Sequence, residues 1–433
     1  MSTDGTRREE ILETAATLFA SSGLRTSLKE IADACGIQPG SLYHHFESKE
    51  AIIVELVHRY RDDLDRVAKE ALGNLHEPSS LPVEDRILTF GRAIAASGLR
   101  NRAALLLTLY EPPAVLGDEL VHFARQMPTE IEAAMAEILR QGRSSGAIRP
   151  GIDLVLLGDR LCQSMLHVGV GVSHLTPGAE NVPELRLGIL LHGVSVRTPT
   201  NAALDKSDAS GAARRLVATW EEDGDEDRVA HIRAVARAEF GRRGYESTTM
   251  RDIAGAAGLS TGTVYRSFES KDDLLLSIMG SYSEKFKTTW EAVLRSSSSP
   301  LEKLDALMWG NIHILDRFSD EFKIQLAWLR QSPPSTPTSR LGFFSFDAQL
   351  RQIKRLLAEG QRTGEFHLEG ASADVRARCV FEAIIVSPNI IRAAGARAAH
   401  ALARDTVLRG AAARSTAQSA TRKRSLSPVP SNL

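Results

Sequence analysis

Cysteine is scarce in this sequence, and its few occurrences are far apart. Cys35, Cys162 and Cys379 are the only three among 433 residues, and none has the spacing of metal ligands. We interpret them as small buried hydrophobic residues in a reducing compartment. The sequence therefore predicts no metal site.

Long apolar runs and an excess of one charge are missing as well. No apolar run approaches the roughly 18 residues needed to span a bilayer, and the N-terminal MSTDGTRREE has no apolar signal core. The 53 basic and 54 acidic residues nearly balance, so overall charge gives no argument for a nucleic-acid partner. We expect a cytoplasmic protein without a membrane partner.

Motifs of the common enzyme classes are also absent. The sequence has no phosphate-binding loop, dinucleotide fingerprint, nucleophile elbow or metal-spaced cluster of His, Asp and Glu. We therefore expect neither an enzyme nor a bound cofactor. The chain is long enough for two to four domains with sizeable cores.

The sequence does contain one segment twice. Residues 30–50 (EIADACGIQPGSLYHHFESKE) and 252–272 (DIAGAAGLSTGTVYRSFESKD) are identical at ten of 21 positions when aligned at an offset of 222. An internal repeat has to be recognised first, because missing it leads to the wrong fold. The repeated unit has the features of a helix-turn-helix.

Three local signals support that interpretation. Ser27 with Glu30 fits a capping box at a helix start, and Asp252 is placed to act similarly after Thr249. The strings ACG and AAG then supply the glycine that a tight turn between two helices needs. In the first copy Pro39 suits the first position of the next helix.

Apolar spacing predicts how the helices of each copy pack together. The second helix of the motif has inward positions four residues apart, and a preceding helix carries an apolar stripe. These inward positions are Leu42, Phe46, Val264 and Phe268 on the second helices, and Ile11, Ala15, Leu18, Phe19, Ile232, Ala236 and Phe240 on the preceding ones. A second helix of this kind fits the major groove of DNA.

These residues resemble the TetR family of bacterial transcriptional regulators. The match comprises the first-helix phenylalanine followed by Gly23 or Gly244, then (S/T)-x-x-(D/E)-I-A, then G-(S/T)-(L/V)-Y-x-x-F-x-S-K-(D/E). The resemblance implies an all-α fold in which two three-helix DNA-binding modules are each followed by a helical effector and dimerisation domain. The expected domains are 7–53 and 228–275 for the modules, 54–197 and 276–411 for the effector domains, 198–227 for a linker, and 412–433 for a disordered tail.

The same resemblance implies two sets of DNA contacts. It marks Tyr43, Tyr265, Lys49 and Lys271 as phosphate contacts. The whole first set is Ser27, Lys29, Gln38, Pro39, Gly40, Ser41, Tyr43, His44, His45 and Lys49. The whole second set is Thr249, Arg251, Ser260, Thr261, Gly262, Thr263, Tyr265, Arg266, Ser267 and Lys271.

The two copies differ in charge and in spacing. Residues 1–50 carry a net charge of −3 and residues 228–273 a net charge of +2, which favours the second copy as the stronger DNA binder. Three residues separate Gly23 from Ser27, whereas four separate Gly244 from Thr249, and the longer spacing is the common one in the family. In the second copy Ser267 stands where the family usually has His or Tyr, whereas the first copy has His45 there. We nevertheless expect both modules to bind DNA.

The regions outside the modules are expected to be mostly helical. The resemblance implies that the G-x-x-x-G turns at 142–146 and 360–364 precede a final helix pair in each unit, expected at Asp153–His167 with Val182–Val194 and at Ala373–Ala394 with Ala396–Gly410. The acidic cluster at 221–227 predicts a solvated linker, and 212–220 is a candidate helix within it. The tail after 412 is polar and is expected to be disordered.

The resemblance implies ligand-controlled repression of a double-stranded DNA operator. Two pairings remain open, because the copies can pair within one chain as a covalent pseudo-dimer or each with its counterpart in a homodimer. Proximity within one chain favours the pseudo-dimer, which would read an asymmetric site. The alternative function is a tandem helical scaffold for another protein, with one or both DNA-binding modules inactive.

The sequence does not identify the small-molecule effector or its binding residues. An aromatic-rich stretch in the second unit and a few polar residues in the first are candidates, although such residues are more often part of a core. They are Trp309, His313, Trp328, Phe343, Phe344 and Phe346, with His122, Cys162 and His167.

Overall fold

The computed structural model describes residues 3–22, 26–76, 81–109, 129–168, 181–220, 228–245, 248–329 and 346–413. Within these ranges the chain is helical, and extended segments meet only in two isolated bridges, Ile148 with Ala412 and Ser195 with Phe366. The predicted all-α class is confirmed.

Two units with the same order of helices follow each other along the chain. The first unit contains α1 (Thr3–Ser22), α2 (Leu28–Ala34), α3 (Pro39–His45), α4 (Lys49–His76), α5 (Val83–Arg100), α6 (Arg102–Leu109), α7 (Thr129–Ser144), α8 (Leu154–Leu166) and α9 (Val182–His192). Two helices connect the units, α10 (Asn201–Asp205) and α11 (Asp208–Ala218). The second unit contains α12 (Arg228–Arg243), α13 (Met250–Ala256), α14 (Thr261–Ser267), α15 (Lys271–Arg295), α16 (Pro300–Arg317), α17 (Ser319–Leu329), α18 (Asp347–Arg362), α19 (Ala373–Ala383), α20 (Pro388–Ala403) and a π-helical turn (Arg404–Leu408).

The final helix pair agrees with the expectation in the first unit and differs in the second. The break expected at Gly395 is a kink inside α20, where this glycine has φ 79°. A second break, over 384–387, separates α19 from α20, because a proline such as Pro388 restricts the preceding residue and starts a new helix. No single described helix is long and apolar enough to cross a membrane, and α19 with the segment 388–408 meets that test only as a pair bent by 73°.

The final helices of the two units pack against each other. α9 lies on α19 and on the π-helical turn, while α8 lies on α20. Their buried side chains, such as Leu161, Leu190, Val380 and Val407, belong to one apolar core that extends through both effector domains. The second DNA-binding module has a core of its own.

Backbone segments after the final helices cross between the units and form matched hydrogen bonds. The Val194 N–H donates to the Val407 carbonyl at 2.8 Å, and the Ala411 N–H donates to the Leu190 carbonyl at 3.0 Å. When the units are aligned at an offset of 217 residues, Val194 corresponds to Ala411 and Leu190 to Val407. Each unit therefore donates the same hydrogen bond to the other. The contact between the units is therefore pseudo-symmetric in its backbone.

The same exchange occurs at the turn that precedes α8 or α19. The Arg149 N–H donates to the Ala411 carbonyl at 3.0 Å, and the His367 N–H donates to the Val194 carbonyl at 2.9 Å. The backbone groups in these bonds belong to irregular segments. Without the bonds, packing of the two units would bury these groups without hydrogen-bond partners. We call this set of contacts, together with the packing of α8, α9, α19 and α20, the inter-unit junction.

The described part of the expected linker is folded rather than solvated. α11 packs on α15 and α16 of the second unit, where it buries Ala209 and Ala213. The Ala209 N–H donates to Ser298 Oγ at 2.8 Å, and the Asp208 carboxylate accepts from the Ser297 N–H at 3.1 Å. The helix begins at Asp208, before the expected 212, and the acidic cluster at 221–227 lies outside the described residues.

A buried charge cluster connects this folded linker to the last helices of the second unit. Asp305 is 1% exposed and accepts hydrogen bonds from Arg404 Nε at 2.8 Å and Nη2 at 2.7 Å. His400 Nε2 lies 3.1 Å from the same carboxylate, and Arg404 also contacts Asp205 of α10 at 2.7 Å. Burial raises the pKa of Asp305, but the hydrogen bonds and charges of Arg404 and His400 together lower it below its ordinary value.

This lowered pKa predicts a loss of stability in acid. A carboxyl with a depressed folded pKa stabilises the fold above its unfolded pKa of about 3.9, and this contribution disappears as the pH falls through the folded pKa. Denaturant unfolding should therefore show that Asp305→Asn is less stable than wild type at neutral pH. The difference should shrink as the pH falls below about 4, and a difference that stays constant with pH would contradict the prediction.

Candidate nucleic-acid interface

Each DNA-binding module begins its second helix with a capping box. The Glu30 N–H donates to Ser27 Oγ at 3.2 Å and the Ser27 N–H donates to Glu30 Oε2 at 2.7 Å. Thr249 and Asp252 form the same pair in the second module, at 3.1 and 2.8 Å. Bonds from the capping residue lower the pKa of both carboxyls. The predicted box is confirmed in the first module, and its proposed counterpart in the second forms as well.

The turn and the inward side chains fix the recognition helices α3 and α14. Gly36 and Gly258 have φ values of 65° and 67°, and a Cβ on either would meet nothing within 4 Å. The left-handed backbone, rather than lack of space, therefore favours glycine there. Leu42 and Val264 are fully buried beneath the two helices, as the spacing predicts.

The predicted contact residues all lie on accessible surface. Tyr43 and Tyr265 are 55% and 51% exposed, which is unusual for large side chains and leaves both available to a partner. The exposed members of the two sets are Ser27, Lys29, Gln38, Gly40, Ser41, Tyr43, His44, Thr249, Arg251, Ser260, Gly262, Tyr265 and Arg266. The half-buried members are Pro39, His45, Lys49, Thr261, Thr263, Ser267 and Lys271.

Lys271 has a structural role in addition to its expected phosphate contact. Its ammonium donates to the carbonyls of Tyr245 and Thr248 at 2.8 and 3.0 Å, and it lies 4.3 Å from the centre of the Tyr245 ring. These contacts hold the start of α15 against the turn that follows α12. The phosphate contact itself remains a prediction.

The second recognition helix carries a line of hydrogen-bonded side chains. Ser260 Oγ accepts from the Thr263 N–H at 3.2 Å and lies 2.8 Å from Thr263 Oγ1. The Arg266 guanidinium donates to Thr263 Oγ1 at 3.0 Å. The sequence signal for this line was the spacing of Ser260, Thr263 and Arg266, because residues three positions apart are neighbours on a helix.

Ion pairs occupy much of the charge around the modules. In the first, Arg8 and Arg59 both contact Glu55, and Arg59 also contacts Glu9 at 2.5 Å. These arginines lower the pKa of Glu9 and Glu55, mainly through hydrogen bonds. In the second, Arg242 contacts Glu239 at 2.8 Å. Both modules therefore hold part of their charge in ion pairs.

Comparison with known proteins assigns the modules to a family. The family model described as "Bacterial regulatory proteins, tetR family" matches residues 11–56 and 232–278. The HTH-type transcriptional repressor KstR2 of Rhodococcus jostii is 36% identical over 171 residues, which are 35% of this chain and 72% of that protein. The chain belongs to the TetR family. It is a DNA-binding transcriptional regulator that contains the family's DNA-binding module twice.

Other relatives match about one unit of this TetR-family chain. The KstR2 repressor of Mycolicibacterium smegmatis is 31% identical over 44% of this chain and 91% of its own length. The solved structure of the ketosteroid regulator KstR2 of Mycobacterium tuberculosis is 22% identical, with a TM-score of 0.38, and the match covers 42% of this chain and 91% of that one. These relatives are transcriptional regulators rather than enzymes.

The effector candidates of this TetR-family chain are dispersed. Trp309 and His313 are in contact, with ring centres 3.9 Å apart, whereas Phe346 packs on Phe381. Cys162 is fully buried. His122, Phe343, Phe344 and the Trp328 side chain lie outside the described residues. Within the described ranges, no three His, Cys, Asp or Glu side chains are grouped to hold a metal ion.

Sequence reasoning missed a buried threonine in front of each capping box. Thr26 is 3% exposed and Thr248 is fully buried, and they are equivalent at the offset of 222. Thr248 Oγ1 donates to the Gly244 carbonyl at 2.8 Å, which fixes the turn after α12. The available signal was the recurrence of threonine just before both capping residues.

Proposed function

We propose that this regulator is a cytoplasmic, ligand-responsive repressor that binds DNA as an intramolecular pseudo-dimer. In this arrangement α3 and α14 read the two halves of one operator. The two recognition helices differ in sequence (QPGSLYHHF and STGTVYRSF), so the operator is asymmetric. The observation that carries the proposal is the inter-unit junction, with its matched backbone hydrogen bonds in both directions.

Buried arginines of the first unit support pairing with the second. Arg160 donates to Thr406 Oγ1 at 3.0 Å and to the Ala383 carbonyl at 2.5 Å. Arg186, which is 2% exposed, forms an ion pair with Glu382 of the second unit. Burial lowers the pKa of both arginines to about 10, so they remain charged at neutral pH.

The first unit is poorly suited to pair with a copy of itself in the same way. Aligned at the matching glycines Gly151 and Gly370, the position of Glu382 is Gln163 in the first unit. A self-pair would therefore bury two copies of Arg186 without that carboxylate, and unpaired buried charges are strongly destabilising. Charge complementarity thus favours pairing of unlike units, and their covalent connection raises the effective concentration of the partner.

The second unit offers a polar route from its effector domain to its DNA-binding module. Tyr282 Oη donates to Gln325 at 3.0 Å, and Glu321 of α17, which is 4% exposed, contacts Arg237 of α12 at 3.1 Å. At the aligned positions of the first unit, Ala104 and Ala16 replace Glu321 and Arg237. We propose that a small-molecule effector acts through the α12–α17 contact, because a ligand shifts an equilibrium only through differential affinity for the two states.

Two other arrangements make different predictions. Pairing between chains would give a dimer in solution with four modules, and a protein scaffold would not depend on the recognition helices. A regulator that pairs within one chain should instead have the mass of one chain, 47.2 kDa, in light scattering both free and, after subtraction of the DNA, on a single operator.

Footprinting on the DNA around the gene tests these alternatives together. We expect one short footprint over two adjacent major grooves, weakened along its whole length by either Tyr43→Ala or Tyr265→Ala. Both phenols are exposed, so the substitutions should leave the fold intact. Two separable footprints, each lost with one substitution, would establish pairing between chains. Failure to bind both this DNA and randomised DNA would favour the scaffold.

A further inference from the structure

The hydrogen-bonded line Ser260–Thr263–Arg266 distinguishes the second recognition helix from the first. Arg266 is exposed, and within the described part of the chain its bond to Thr263 leaves most of its five N–H donors for a partner. Thr263 is in turn held by Ser260, the residue that caps α14. The guanidinium is therefore restrained before any DNA arrives.

We propose that Arg266 reads a guanine in the half-site bound by the second unit, and that Thr263 is its positioning residue. An arginine in the major groove donates two parallel hydrogen bonds to O6 and N7 of guanine, which requires a planar and oriented fork. Restraint by Thr263 reduces the side-chain entropy lost on binding. This inference rests on the proposed function, because it requires both modules on one operator.

The first unit lacks the means for the same contact. At the offset of 222, its equivalent positions are Gln38, Ser41 and His44, and Gln38 forms no side-chain cap on α3. The imidazole of His44 has two ring nitrogens that point in different directions, so it cannot present the parallel donors of a guanidinium fork. The guanine preference is therefore confined to one half-site and makes the operator asymmetric in a defined way.

The competing role for Arg266 is a phosphate contact. Base contacts change sequence discrimination, whereas phosphate contacts change affinity for every sequence and the dependence of binding on salt. Each phosphate contact adds about 0.9 to the slope of log affinity against log salt. The two roles can therefore be separated in one set of measurements.

The test uses the full-length protein and a library of DNA duplexes with a randomised central segment. The selected consensus is measured with every single base-pair substitution, at several salt concentrations, for wild type, Arg266→Lys, Arg266→Ala, Thr263→Val and His44→Ala. Arg266→Lys keeps the charge and removes the fork, and Thr263→Val keeps the shape and removes the hydroxyl.

At one G·C pair in one half-site, wild type should prefer the consensus over a substituted base pair. Both Arg266 variants should reduce this preference by roughly 5- to 150-fold. Thr263→Val should lose part of the discrimination at that same pair. His44→Ala should change only the other half-site. The salt slope of Arg266→Lys should equal that of wild type.

Three results would overturn the inference. One is uniform weakening of all duplexes by Arg266→Ala with a salt slope reduced by about 0.9 and no base pair relaxed. Another is a wild-type consensus with equivalent guanines in both half-sites. Failure of the wild-type protein to select any sequence would refute the proposed function as well, which distinguishes that failure from the first two.

Discussion

Gly193→Ala is expected to break the inter-unit junction and to abolish tight operator binding. Gly193 has φ 66° and ψ 167°, a backbone region that is essentially restricted to glycine, so any side chain there costs about 1–3 kcal/mol in strain. A Cβ would also lie 2.4 Å from the Leu408 carbonyl oxygen and 2.6 Å from the Gly410 nitrogen. Those backbone atoms can move only if the hydrogen bonds between the units break, so the two costs add.

Two further variants separate strain from steric conflict. Gly410→Ala tests the same approach from the other unit, because its Cβ would lie 2.3 Å from the His192 carbonyl carbon. Gly395→Ala is the matched control, since Gly395 has a similar backbone (φ 79°, ψ 159°) and open space around it. For Gly193→Ala and Gly410→Ala, denaturant unfolding and DNA binding should show large losses of stability and affinity, and small-angle scattering should show that the inter-unit junction is broken. Gly395→Ala should lose only the stability that backbone strain costs. Equal losses at all three glycines would contradict the close approach.

Arg404→Leu is expected to destabilise the second unit by about 3–5 kcal/mol. It removes the guanidinium that donates two hydrogen bonds to a carboxylate that is 1% exposed and leaves His400 as its remaining contact among those described above, and a poorly compensated buried charge is costly. It also releases Asp205, so α10 and α11 should loosen from the second unit. Arg295→Leu is the control, because Arg295 is 75% exposed in its pair with Glu291 and such surface pairs contribute about 0–1 kcal/mol.

A double variant should recover much of this loss. At the offset of 217, the positions of Asp305 and Arg404 are occupied by Leu88 and Leu187 in the first unit. Asp305→Leu with Arg404→Leu therefore gives the second unit the residues that the first already has. Replacing a buried ion pair by apolar residues is often neutral or stabilising. Calorimetry on both single variants and the double variant would measure the coupling, and additive losses would show that these side chains do not interact.

The DNA-binding modules could be predicted because their determinants are local. Capping by Ser27 and Glu30, the turn at Gly36 and burial of Leu42 depend on residues within a few positions of each other. Such interactions are encoded by spacing, and their recurrence after 222 residues made the signal specific. The line from Ser260 to Arg266 was equally local and was overlooked, because its residues were considered singly as groove contacts.

The effector domains were less predictable, since their helices are defined by packing. The second break in the final helices, at 384–387, precedes Pro388 and was a local signal, whereas the contact of α19 with α9 of the first unit was not. The linker was expected to be solvated because of its composition, yet α11 buries small side chains against α15 and α16. Alanine and serine fit a close helix contact as well as a solvated segment, so composition alone does not distinguish the two.

The sequence by itself determined the duplicated module, its capping and turn residues, and the side chains that each recognition helix exposes. Only the tertiary structure decided that α9 lies on α19, that Arg160 and Arg186 of the first unit are buried against the second unit, and that Gly193 approaches Gly410. The physical reason is the range of the interactions. Contacts within a helix or turn follow from neighbouring residues, whereas contacts between residues more than 200 positions apart depend on which complementary surfaces meet.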